Sequence, residues 1–132
     1  MVDLLRFRVE KLIRDRLPDI MRASGLAVFE RTLDTADFIA SLKSKLAEES
    51  AEAAAADGVE DLLGELADVL EVVAALAEVH GADLAAVEAR RQAKRAERGG
   101  FEGRIYNAAV EGPADCPAVA YYLAKPDQYP RL

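Results

Sequence analysis

Glu48, Glu49 and Glu52 lie within one short stretch, and Glu65 and Asp68 follow after 12 intervening residues. Carboxylates three or four positions apart share one side of a helix. Several such groups gathered beside apolar surface repel one another and resist ionisation. Either some of them hold protons or a cation sits among them. An all-oxygen ligand set suits a hard cation, Mg²⁺ or Mn²⁺, better than zinc. A ferritin-like di-iron centre needs Glu-x-x-His on its helices, and the single histidine, His80, falls at a helix end. The competing reading is a solvated acidic face, which ion pairing of Lys45 with Glu48 or Glu49 would favour.

The elements that must position these groups are two long helices. Asp34 or Thr35 can cap a helix to about Ala56, stopped by Asp57-Gly58, and a second spans about Val59 to His80, ended by Gly81. On a 100° wheel centred on Leu42, Phe38, Ile39, Leu46 and Ala53 form the apolar stripe. Glu49 stands inside it, about 20° away, with Glu52 near −80° and Glu48 near −120° on one flank. On the second helix Leu62, Leu66, Val69, Val73 and Leu76 form the stripe, with Glu65 roughly 60° from its centre and Asp68 roughly 120° on the same-signed flank. The short connection makes the helices antiparallel. Glu52 and Glu65 then lie ~10 Å from the turn, and Glu49 and Asp68 ~14 Å. Same-signed offsets on antiparallel helices point to one side, so all four groups are expected to converge. Glu60 and Asp61 are first-turn charges that complement the helix dipole.

A third helix, capped by Asp83 and running to about Arg98, carries Arg90, Arg91, Lys94, Arg95 and Arg98. Arg91, Lys94 and Arg98 share a face. Lys11, Arg14 and Arg16 form a second basic cluster. Either set is a solvated face or a place for an anion, and a hard cation beside basic side chains is what phosphoryl chemistry needs. No G-x-x-x-x-G-K-[ST] loop is present, which argues against a P-loop NTPase.

The 132 residues suit one domain, 1–132, with 17 Lys and Arg against 24 Asp and Glu. The formal charge of −7 argues against a nucleic-acid binder, and one Cys, Cys116, excludes a disulfide framework. No apolar run reaches the ~20 residues of a membrane span, and the start lacks a signal-peptide layout. A soluble, cytoplasmic protein without a membrane partner is expected. The apolar content is mostly Ala, Leu and Val, which favours helices. The N-terminal 34 residues are the least regular. There Arg6–Val9 and Ala27–Thr32 read as short extended pieces around a helix from Pro18 to about Ala23. Beyond Asn107 the chain holds four of its five prolines and no helical period, so 108–132 reads as a tail lying on the surface or on a partner. Phe101 and Tyr106 are expected to pack, or else to stack on a base. His80 is expected at a helix C-terminus.

Three stretches together resemble one family. Glu48-Glu49-Ser50-Ala51-Glu52 followed by Glu65-Leu66-Ala67-Asp68 resembles the E-E-x-x-E…E-x-x-D signature of the all-α nucleoside triphosphate pyrophosphohydrolases. Lys11-Leu12-Ile13-Arg14-Asp15-Arg16-Leu17-Pro18 and Lys94-Arg95-Ala96-Glu97-Arg98-Gly99-Gly100-Phe101 resemble a phosphoribosyl-ATP-pyrophosphohydrolase-like subgroup of MazG-type proteins. The likeness covers about residues 10–107. It implies an all-α fold of antiparallel helical hairpins that associate into a larger bundle, as homodimer or homotetramer, while the short irregular N-terminal segment and the Pro-rich C-terminal tail are read from the residues alone. It also implies Mg²⁺-dependent cleavage of a nucleotide between the α and β phosphates, giving a monophosphate and pyrophosphate, with Mn²⁺ as a substitute. By the resemblance, Glu49, Glu52, Glu65 and Asp68 are the metal ligands, and Glu48 orients or deprotonates the attacking water. Lys94, Arg95 and Arg98 bind phosphates, and Lys11 and Arg14 close the site. The alternatives are a catalytically silent nucleotide- or metal-binding regulator of the same fold, and a helical interaction module whose acidic face docks a basic partner.

Overall fold

The computed structural model describes residues 1–132. It is all-helical, with α1 Leu17–Ala23, α2 Thr35–Ala55, α3 Val59–Val79, α4 Leu84–Arg98 and α5 Pro117–Leu123 and no strand. The helix boundaries follow local chemistry. Pro18 opens α1, where its missing N–H costs nothing. The Asp34 carboxylate caps α2 by accepting from the Asp37 N–H at 2.8 Å. Asp83 caps α4 in the same way, accepting from Ala86 N–H at 2.8 Å. Between α2 and α3 the chain reverses over Ala56-Asp57-Gly58, and Gly58 takes φ 86°, a left-handed value open to glycine. His80 is the C-cap residue of α3, as its place in the sequence implied.

Two expectations from the sequence are corrected. Arg6–Val9 and Ala27–Thr32 carry no ladder partner and remain irregular. A lone alternating stretch has nothing to satisfy its N–H and C=O groups in one direction, so alternation alone does not make a strand. The proline-rich tail is not devoid of helix: Pro117 starts α5 at the position where proline suits a helix.

The chain forms two compact units, Met1–Lys94 and Arg95–Leu132, and the boundary falls within α4. In the first unit α2 and α3 pack along each other, and no other pair of helices is in contact. Leu42 and Val72 are the buried apolar side chains of this pair. The expected α3 stripe is turned partly outward: Leu62 and Leu66 are exposed, as are Leu63 and Leu70, while the helix buries Val72. The N-terminal arm leans on the pair through half-buried Leu12 and Ile13, and Arg6 stacks 4.5 Å from the Phe29 ring.

In the second unit Tyr121, Tyr122 and Tyr129 cluster with ring centroids 4.9–5.9 Å apart, and Lys125 Nζ sits 4.4 Å from the Tyr121 ring centroid. Phe101 and Tyr106 do not pack as expected: they are 97% and 93% exposed. Their segment, 99–110, lacks regular structure and so presents no fixed face to bury them. Cys116 is a free, half-buried thiol.

Candidate metal centre

Glu49 comes from the middle of α2, where its position within the apolar stripe turns it toward α3. It is 6% exposed, the one buried charged residue of the chain. From α3 the half-buried Glu65 and Asp68, one turn apart, approach it. One carboxylate oxygen from each of the three lies within 4.8 Å of the others. Such a trio can hold a cation.

The oxygens are not all satisfied by the protein. Glu49 Oε2 and Glu65 Oε2 are buried without a hydrogen-bond partner. An unpaired buried charge is costly. Burial therefore pushes the Glu49 carboxyl above its ordinary range, the Glu52 and Asp68 charges push it further, and Lys45 pulls it back. A hard divalent cation would satisfy both orphaned oxygens, and the all-carboxylate donor set suits it. The residues present fit such an ion.

Three basic side chains meet the rim. Lys45 Nζ, one turn before Glu49 on α2, lies 3.5 Å from Glu49 Oε1 and 3.8 Å from Glu48 Oε1. Lys11 Nζ donates to Glu48 Oε1 at 3.1 Å. Arg14 donates to Asp68 Oδ1 at 2.6 Å. The Lys45 pairing that the sequence allowed is present, but it leaves Glu49 Oε2 free.

Of the four carboxylates expected to converge, the fold gathers Glu49, Glu65 and Asp68. Glu52 is exposed and outside that trio, since its offset of roughly 80° from the stripe turns it toward solvent. Glu48 stands beside the group, paired with Lys11 and Lys45. Lys94 is exposed on α4, which packs on no helix. Arg95 is engaged with Glu102, and Arg98 is exposed at the end of α4.

Between the arm and the helix pair lies a cavity of about 360 Å³, lined by Ile13, Arg14, Phe38, Leu42, Glu49, Asp68 and Val72 among others. Glu71 and Glu78 also line it, and sequence reasoning passed them over. Their spacing from Asp68, three and ten positions along α3, places them on the same flank and was the available signal. No helix is long and apolar enough to cross a membrane.

No family model matches the chain, and no solved structure matches it. It is similar to a protein of Mycolicibacterium smegmatis (strain ATCC 700084 / mc(2)155) described as uncharacterized, at 49% identity over 47 residues. That stretch is 36% of this chain and 48% of the relative, so the chain spans about half the length of the curated relative it matches.

Proposed function

We propose that the chain is a metal-dependent nucleoside triphosphate pyrophosphohydrolase of the MazG-like, all-α type. The observation that carries this reading is the buried Glu49 carboxylate, with one oxygen unpartnered, within 4.8 Å of Glu65 and Asp68. Glu49, Glu65 and Asp68 would hold Mg²⁺ or Mn²⁺, with Glu52 completing the set from the solvent side. When bound there, the ion supplies neutralisation of polyphosphate charge.

The chain's own groups do the rest. Glu48, at the edge of the trio, orients the attacking water and accepts its proton. The water oxygen bonds to the α phosphorus and the bond to the bridging oxygen breaks, releasing pyrophosphate. Lys11 and Arg14, at the rim, meet the phosphates. Charge-assisted contacts of this kind favour the more charged transition state.

The open leucine seam supports association of two or four copies into a larger helical bundle, because an apolar stripe must be covered by another element. Pyrophosphate release from a panel of nucleoside triphosphates tests the reading, with Mg²⁺, Mn²⁺ or EDTA present. The panel includes deoxy, oxidised and deaminated nucleotides and phosphoribosyl-ATP. Metal-dependent release of monophosphate and pyrophosphate is expected. Nucleotide binding without release would make the chain a silent regulator, and absence of both metal and nucleotide binding would overturn the reading.

A further inference from the structure

We propose that residues 10–16 form a displaceable strap on the carboxylate centre: Lys11 and Arg14 stand in as built-in cations and are released when a divalent cation binds. The proposal rests on the metal-centre reading and adds how that centre is gated.

Lys11 and Arg14 reach the carboxylates from 37 and 54 residues away in sequence. They are the two cations that meet Glu48 and Asp68 from outside α2 and α3. Leu12 and Ile13 between them are half-buried, but the polar hold is light. Both side chains are more than half exposed, and residues 1–13 make no backbone hydrogen bond to either helix. At the base of the strap Glu10 sits at φ 45°, a left-handed conformation that costs a non-glycine residue. The bound arm therefore stores some strain that release would relax.

A divalent ion held by Asp68 puts a second positive charge on the carboxylate that Arg14 already occupies. Like-charge repulsion then opposes an exposed ion pair, which is a weak restraint. Lys45 behaves differently. It is only 20% exposed and is fixed on α2 one turn from its partner, so it stays and tempers the charge of Glu49. Released Lys11 and Arg14 are left free to face a polyanion. One event thus frees Asp68 for the metal and Glu48 for its water, and supplies cations for phosphate.

The test uses the full chain with Mn²⁺ as probe, its free concentration followed by electron paramagnetic resonance. Amide heteronuclear NOEs of residues 10–16 are recorded with and without Mg²⁺. Arg14→Gln is expected to tighten Mn²⁺ binding by about two- to fivefold, the range an exposed ion pair commands. Saturating Mg²⁺ is expected to lower the NOEs of residues 10–16 in the natural sequence. Unchanged or weaker Mn²⁺ binding in Arg14→Gln, or NOEs indifferent to Mg²⁺, overturns the strap. Glu49→Gln separates the two levels. If it loses Mn²⁺ while Arg14→Gln gains nothing, the strap alone fails. If Glu49→Gln binds Mn²⁺ as the natural sequence does, the metal centre fails and the strap with it.

Discussion

Glu49 is the residue on which the centre turns, because burial and charge pull it in opposite directions. Its carboxyl is raised above the ordinary 4.5, first by desolvation and then by the neighbouring Glu52 charge. For a raised carboxyl the penalty is absent below the unfolded value. It grows as pH climbs through 4.5 toward the folded value. Metal-free protein is therefore expected to lose stability relative to Glu49→Gln over that interval. Urea unfolding in EDTA at successive pH values reads the difference, and a gap that shrinks with rising pH would contradict it. At neutral pH the glutamine amide can donate to Glu65 or Asp68, so Glu49→Gln should stabilise the metal-free chain by about 1–3 kcal/mol. The same substitution, like Asp68→Asn, is expected to abolish pyrophosphate release while leaving the helical circular dichroism intact.

The α2–α3 pair is what turns scattered acidic residues into a site. Its turn depends on Gly58 at φ 86°, with nothing within 4 Å of the place a Cβ would occupy. Gly58→Ala therefore meets no neighbour, but φ 86° with ψ 161° is a backbone conformation essentially confined to glycine, so it should cost about 1–3 kcal/mol. A shift in the urea midpoint without change in Mn²⁺ affinity would show the turn serving the fold rather than the ligands. Leu42 is 2% exposed, two turns before Glu49 on α2, so Leu42→Ala should destabilise by about 2–5 kcal/mol. The existence of α1 to α4, the Asp34 and Asp83 caps and the stops at Gly58 and Gly81 were legible in the residues, because capping and glycine geometry act within a few positions, whereas α5 was not. The fate of Arg6–Val9 was not, because a strand needs a distant partner that local sequence does not name.

At the scale of the molecule, the leucines left open on α3 set the expectation. Leu66, at 44% exposure, shares with Leu62 and Leu70 a face of α3 that lies roughly 120° around the helix from buried Val72. Sedimentation velocity at micromolar concentration is expected to show a dimer or tetramer, and Leu66→Lys is expected to shift it toward monomer. A monomer in the natural sequence would leave the seam without its proposed cover.

The sequence by itself determined the helical class, the capped limits of α2 and α3, and the inward placement of Glu49. All of these follow from periodicity and nearest-neighbour chemistry. It also determined that Glu65 and Asp68 would lie opposite, since a short turn fixes the register of two antiparallel helices. Only the tertiary structure decided that Glu52 faces solvent while the other three meet, because a few tens of degrees of helix rotation separate those outcomes. It alone decided that Arg14 lands on Asp68 and Lys11 on Glu48. Contacts 54 and 37 residues apart in sequence are set by the path of an irregular arm, and no local rule encodes that path.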